Sequence, residues 1–473
     1  MPGRAPDWLN TLRQTAEWRD AHIARDDSGQ VVTPDFLWAE AKEPSFARFV
    51  TWLGKQYGDR VAIADYSAAR IGPRAPAPGP VTVTYRQLSQ MVLARAAWLR
   101  DRGVGPWDHV AVCLPNCLEV LALQYAAACV GAIVSPINLD QRDRVGTILH
   151  SADHRLVFVG SRPEEFAATH ALDRNRVVDV RDSRFHDEVA ASTPVDQFGV
   201  IVSPDDPVLV LYTSGTTGSP KGAMLAPRGL FTGALALQEG FQLTGRDRFL
   251  LVNPLYHINS IAFCLALLGV GARIAMPPFA GHWTVAVAER ITATSMVQRH
   301  LTPLLNPSGP ADRHNADLFA ELQRGGSLRW IAVGSGPLAP EVQSQFLDRG
   351  VLILFRWGMS ENHLGATNMR PGHDWQYYRD RIGSTGPTNR YLNVFVIDDQ
   401  GSRLVSGRGR LVQRGCVLVA YSTPDANEGV FAGGVHDTGD IAEITPEGHV
   451  YIVGRTKETI LRSGENIYPQ DVD

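Results

Sequence analysis

Residues Tyr212-Thr213-Ser214-Gly215-Thr216-Thr217-Gly218-Ser219-Pro220-Lys221-Gly222 continue an apolar run, Val208-Leu209-Val210-Leu211, and lead toward a helix expected from about Pro227. The run has the aliphatic make-up of a buried strand. The loop after it consists of hydroxyls, glycines and one lysine. Glycines let backbone N–H groups approach an anion closely, and the lysine adds a mobile positive charge, so the segment suits a phosphate chain. It is not a Walker A loop, because G-x-x-x-x-G-K-[ST] has no match. A plain Gly/Ser turn is the competing reading. Lysine itself is rare here: Lys42, Lys55, Lys221 and Lys457 are the only ones among 45 basic residues.

Working outward, the chain alternates between strand and helix patterns. Thr84 with Gln87 forms a capping box for a helix over 85–101, whose apolar residues Leu88, Met91, Val92, Ala96 and Leu99 recur at helical spacing. Apolar strands are expected at 109–114, 132–137, 155–159, 208–214, 248–253, 272–276, 327–333 and 351–355. Helices are expected at 117–129 and near 339–349. Continuous apolar strands between amphipathic helices indicate parallel sheets covered on both faces, an α/β architecture. Beyond residue 383 the texture changes to short strands at 393–398, 409–415 and 449–454, with Pro446-Glu447-Gly448 as a hairpin turn. Residues 71–80 and 306–315 read as Pro/Gly-rich surface loops.

Composition narrows the function classes. The chain has 473 residues, about three domains at roughly 150 each, and is 44% apolar and 20% charged. A net charge of −4 supplies no basic excess to drive counterion release from nucleic acid. The longest apolar stretch, Ile261 to Ala272, falls short of the ~20 residues of a spanning helix. The first ten residues lack the apolar run of a signal peptide. Cys113, Cys117, Cys129, Cys264 and Cys416 match no zinc spacing and are odd in number, which points to reduced thiols and a cytoplasmic protein.

Five motifs in order carry a family resemblance. The loop 212–222 resembles the phosphate loop of the adenylate-forming superfamily, which includes acyl-CoA synthetases, peptide-synthetase adenylation domains and luciferases. Gly334-Ser335-Gly336-Pro337-Leu338 is similar to its nucleotide-pocket turn, and Trp357-Gly358-Met359-Ser360-Glu361 to its aromatic-Gly-x-Thr-Glu motif. Asp437-Thr438-Gly439-Asp440 matches its Thr-Gly-Asp. Gly454-Arg455-Thr456-Lys457 and Gly464-Glu465-Asn466-Ile467-Tyr468-Pro469 match its hinge segment. The similarity runs from about residue 45 to the C-terminus. It implies a large N-terminal domain over 1–455, with α/β subdomains at about 45–205 and 206–382 in two doubly wound, mostly parallel sheets. A smaller antiparallel β subdomain would fill 383–455, with the hinge and the start of a C-terminal domain at 456–473.

The resemblance also implies a reaction: a carboxylate attacks the α-phosphate of ATP with Mg²⁺, giving acyl-AMP and pyrophosphate, and CoA then displaces AMP. Such chemistry needs positioning and charge neutralisation more than covalent catalysis. By resemblance, Thr213, Ser214, Gly215, Thr216, Thr217, Gly218 and Lys221 hold the phosphates. Ser360 contacts the α-phosphate and Glu361 binds Mg²⁺. Trp357 stacks on adenine, Asp440 takes the ribose hydroxyls and Arg455 reaches the ribose or phosphate. Ser335, Gly336, Pro337, Arg356, Gly358, Met359 and Ile452 complete the nucleotide pocket. The alternatives are a turn aspartate for Asp440, a core aromatic for Trp357 and a helix-start carboxylate for Glu361.

Tyr256-His257 stands where amino-acid-activating relatives carry an aspartate for the substrate ammonium. With no acid there, an ammonium would be buried without a counter-charge, which is costly. The expected substrate is therefore a hydrophobic non-amino acid (aryl, fatty or polycyclic) in a pocket of Tyr256, His257, Gly334, Gly358, Leu364 and Gly365, with His257 also lining the thiol path. An acyl carrier protein in place of CoA, and a catalytically silent adenylate-binding protein, are the alternatives. A homodimer is the default for a soluble enzyme. Ser360 replaces the commoner threonine, and Arg410 stands where glutamate is frequent. Lys457 is the hinge residue. The sequence stops at Asp473, so no residue can be assigned as the lysine that the family's C-terminal domain brings to the α-phosphate. The expectation is an engineered N-terminal fragment rather than a natural truncation, binding ATP and acyl-AMP but catalysing poorly alone.

Overall fold

The computed structural model describes residues 4–26, 29–36, 44–67, 79–194, 202–213, 221–278, 280–334, 336–363, 366–456, 460–462 and 465–467. Two mixed, mainly parallel sheets and one antiparallel sheet account for most of its strands, beside a hairpin at Ile460–Arg462 and Glu465–Ile467. In the seven-stranded sheet, His109–Cys113 lies between Ile133–Pro136 and His154–Val159, all parallel. In the eight-stranded sheet, Arg248–Leu250, Ala293–Met296, Trp330–Val333 and Ile353–Trp357 run parallel side by side. The antiparallel sheet has six strands, including Val394–Ile397, Gly407–Gln413, His436–Ile444 and His449–Arg455. The α/β class with a β-rich third subdomain is thus the observed architecture.

The helices Leu118–Cys129 and Ile258–Gly269 are apolar all round because they are covered on every side; each residue of the first is buried. One core joins them to Val110, Val112 and Phe158 of the seven-stranded sheet and to Phe249, Ile274 and Trp330 of the eight-stranded one, so the two sheets share a helical filling. The helix expected at 85–101 spans Tyr85–Asp101. Its Thr84 hydroxyl accepts from Gln87 N–H, and the Gln87 side chain accepts from Thr84 N–H. The turn expected at 446–448 closes the hairpin between His436–Ile444 and His449–Arg455, with Gly448 at φ +82°.

Several expectations change. The helix expected from about Pro227 is present as Pro227–Phe241, but a strand that was not expected precedes it. That strand, Lys221–Leu225, runs antiparallel to Leu209–Thr213. Residues 306–315 are not one long loop, because helix Pro310–Arg324 begins inside them. Pro310 suits a first helical turn, Asp312 accepts from Ser308, and Phe319 and Leu322 are buried on the inner face. Most of the loop 71–80 lies outside the described residues. Sheet membership crosses the expected subdomain boundaries: Val61–Asp65 and Val81–Thr84 join the eight-stranded sheet, while Leu209–Thr213 and Lys221–Leu225 join the seven-stranded one. Two N-terminal helices, Asp7–Arg13 and Ala16–Ala21, went unforeseen. They are tied down where the Trp18 indole N–H donates to the Val419 carbonyl at 2.8 Å.

All five cysteines are free thiols, four of them buried. Among the described residues no helix is long and apolar enough to cross a membrane.

Candidate active site

Lys221 opens its strand directly opposite Thr213, the last residue of the antiparallel partner strand. Ser214, Gly215, Thr216, Thr217 and Gly218 lie outside the described residues, as do Ser335, Leu364, Gly365 and Lys457; Thr213 is described in its backbone only. Gly222 has a packing reason. A Cβ there would stand 2.5 Å from Ser422 Oγ and 2.7 Å from Val210 Cγ2, because the segment after Ala420–Tyr421 lies against it. That close approach sets Tyr421 beside the lysine, whose Nζ is 5.4 Å from the centre of the Tyr421 ring.

Tyr421 in turn donates its hydroxyl to Glu361 Oε1 at 3.0 Å. Burial, and then the charge of Glu361, push the phenol's ionisation upward, so it stays a donor. Glu361 lies in the 3₁₀ turn Ser360–Asn362 and is buried. Burial raises its pKa and nearby Asp440 adds to this, while the hydrogen bond from Tyr421 and the charge of Arg455 pull the other way. A buried carboxylate that is costly to ionise gains most from a cation placed against it. No group of three or more His, Cys, Asp or Glu side chains that could hold a metal ion occurs among the described residues. Glu361 could offer one carboxylate to Mg²⁺, an ion that usually also takes phosphate oxygens and water.

A second cluster is built from two distant stretches. Trp357 ends strand Ile353–Trp357 with its ring almost wholly buried, and its Nε1–H donates to Asp440 Oδ2 at 2.8 Å. Arg455 Nε stands 3.1 Å from the other oxygen, Oδ1, across the paired strands that hold Asp440 and Arg455 opposite each other. Asp440 is buried, while the Arg455 side chain is 68% exposed. Each carboxylate oxygen keeps a second lone pair, so donors from a ligand can still be accepted. Met359 and Ile452 pack against the cluster of Trp357, Ala366 and Val394. The Met359 N–H donates to Asn362 Oδ1 at 2.8 Å, which shapes the turn carrying Ser360 and Glu361. Gly358 and Ser360 are half-buried; Gly336 and Pro337 are exposed.

Tyr256 and His257 stack obliquely with ring centres 4.6 Å apart at the start of helix Ile258–Gly269. The outer edge of His257 reaches solvent, but desolvation of the ring and the Arg299 charge hold its imidazole below the ordinary histidine range. Gly334 follows strand Trp330–Val333. Arg356, expected in the nucleotide pocket, is set apart from the cluster of Trp357, Asp440 and Arg455. Neighbouring strand residues face opposite sides, and its guanidinium lies 5.2 Å over Phe263, away from Asp440.

The structure thus brings Lys221 and Glu361 together through Tyr421, and Trp357, Asp440 and Arg455 into direct contact. Tyr421 was missed by sequence reasoning. It ends an apolar run, Val417 to Tyr421, with nothing in its pattern to mark it. Thr438, whose hydroxyl accepts from Asp440 N–H at 3.2 Å, was legible only as part of its motif. Arg410, the departure noted above, pairs with Asp437 at 2.6 Å on the surface.

Comparison with known proteins gives the family and the fold. Residues 47–420 match the AMP-binding enzyme family. The chain is 27% identical over 403 residues to the long-chain-fatty-acid–CoA ligase FadD13 of Mycobacterium tuberculosis, covering 83% of this chain and 77% of that one. It is 30% identical over 419 residues to a feruloyl-CoA synthase of an Amycolatopsis species, covering 86% and 80%. The inhibitor-bound N-terminal domain of FACL13 from M. tuberculosis superposes with a TM-score of 0.74 at 24% identity, over 87% of this chain and 100% of that one, which establishes the shared fold.

Proposed function

Because the chain belongs to the AMP-binding enzyme family, we propose that it activates a hydrophobic, non-amino carboxylic acid with ATP and passes the acyl group to CoA. One observation carries the nucleotide part: the flat indole of Trp357, the buried carboxylate of Asp440 and the Arg455 cation meet within hydrogen-bond distance, although they come from separate strands. An aromatic face for a base, an anionic acceptor for sugar hydroxyls and an adjacent cation are what a nucleoside phosphate requires.

In adenylation, the substrate carboxylate oxygen forms a bond to the α-phosphorus as the bond to pyrophosphate breaks. Lys221, with the loop before it, balances charge on the departing phosphates. Glu361 is held by the Tyr421 hydroxyl and would serve as a carboxylate ligand for Mg²⁺. The CoA sulfur then bonds to the acyl carbon as the bond from that carbon to the bridging anhydride oxygen breaks; AMP leaves with that oxygen and the thiol proton is released to solvent. CoA, rather than an acyl carrier protein, is the acceptor in the named relatives. The absence of a carboxylate at Tyr256-His257 supports a non-amino acid.

A thermal-shift panel of AMP and non-hydrolysable acyl-sulfamoyl adenosines tests this reading. A ligand that binds only the folded state stabilises it by about 2.7 kcal/mol at a hundredfold excess over Kd. AMP and at least one acyl adenylate mimic should raise the melting temperature, and Asp440→Ala should abolish both shifts. No shift with any of them on the wild-type chain would refute the proposal.

A further inference from the structure

Arg356 is 2% exposed, yet no carboxylate among the described residues pairs with it. Its Nε and Nη1 have no hydrogen-bond partner, and Nη2 reaches only Ser295 Oγ, at a long 3.4 Å. A buried guanidinium without a counter-charge is among the costliest groups a core can hold. Burial alone moves it down to about 9, so it still carries its charge at neutral pH.

The fold makes room for this side chain. It crosses the end of the neighbouring strand at Gly334, where a Cβ would come within 3.2 Å of Arg356 Cγ and 3.5 Å of Cζ. It then meets Ser295 on the next strand over. These are the carboxyl ends of parallel strands, where α/β sheets bind their ligands. Phe263, under the guanidinium, lies one helical turn beyond Asn259 on the same face of Ile258–Gly269. Asn259 is also buried, and its Nδ2 has no acceptor. The unpaired atoms of Arg356 and of the Asn259 amide nitrogen are all donors, so what is missing is an acceptor. Arg299 adds a positive charge near enough to act on His257, at the start of the same helix.

From this arrangement we infer that the acyl pocket is built for an acid carrying a second, anionic oxygen-bearing group, and that Arg356, supported by Asn259, is the specificity-determining residue that receives it. The inference rests on the acid-activating reading above and narrows its substrate class: an apolar acyl skeleton ending in a second carboxylate. A planar guanidinium fork donates to such a group bidentately.

The test measures equilibrium binding, by calorimetry, of paired acyl-sulfamoyl adenosines. Short, medium and long dicarboxylic half-acyl tails are each compared with the methyl ester of the same tail. On wild type, one acidic tail should bind about ten- to hundredfold more tightly than its ester. Arg356→Met should erase that preference and raise the denaturant midpoint of the free protein by removing the uncompensated charge. Arg356→Lys should retain part of the preference. If wild type binds every ester as well as or better than its acid while AMP still binds, the inference is overturned and the proposed function stands. A preference that survives in Arg356→Met overturns it too. Should Arg356→Met fail to fold, the wild-type comparison alone decides. Failure of AMP and every mimic to bind wild type would remove the adenylate reading and this inference with it.

Discussion

Replacing Trp357 by phenylalanine removes one N–H and little else from the face that a base would contact. That N–H donates to Asp440 Oδ2 at 2.8 Å, between a ring that is 9% exposed and a carboxylate residue that is 6% exposed. A hydrogen bond to a charged acceptor contributes about 1.5–3 kcal/mol. Arg455 cannot take over, since its side chain is 68% exposed and such pairs contribute at most about 1 kcal/mol. The folded state of Trp357→Phe should therefore lose about 1.5–3 kcal/mol, read as a lower urea midpoint at unchanged slope. If the indole also aims Asp440 at a ribose, AMP affinity should fall by about ten- to hundredfold, because each factor of ten is about 1.4 kcal/mol. Urea unfolding by circular dichroism and calorimetric titration with AMP give the two numbers on one preparation. A variant that keeps both the midpoint and the Kd of wild type would show that the bond orients nothing, and the account of the nucleoside site would fall.

Two further outcomes follow from the geometry. Burial raises the Glu361 pKa, so the folded state holds that proton more tightly than the unfolded chain does. The associated stability is complete below the ordinary carboxylate range and is lost as pH rises through the folded pKa. Glu361→Gln should thus be more stable than wild type at neutral pH, with the gap closing on acidification, while Mg²⁺-dependent ATP binding disappears; equal midpoints across that range would contradict this. Gly229→Ala should destabilise, although alanine favours a helix interior by about 1 kcal/mol. Its Cβ would stand 2.3 Å from Nε2 of His363, which is fully buried two residues after Glu361, and overpacking of that kind costs about 1–3 kcal/mol. A raised urea midpoint would show that His363 moves aside freely.

The sequence by itself determined the class of fold, most of the strands and the chemistry of the site. Those signals are local: apolar runs of strand length, the capping box at Thr84, and motifs whose residue types are already suited to phosphate, base and sugar. Pro310 announced its helix too, but a Pro/Gly-rich stretch reads as loop until the buried Phe319 and Leu322 face is known. Strand Lys221–Leu225 was hidden because its partner lies on the far side of the loop, and pairing is not written in either strand alone. Tertiary structure decided what depends on distant segments meeting. It placed Tyr421 between Lys221 and Glu361, which are 140 residues apart in sequence by their numbers, and it tied Trp357 to Asp440 across a separation of 83. It also turned Arg356 away from its neighbour Trp357 and left it buried without a counter-charge. A motif fixes which side chains are available. Only the alternation of a strand, the missing Cβ of Gly334 and the desolvation imposed by the surrounding core fix which way a side chain points and what it lacks when it arrives.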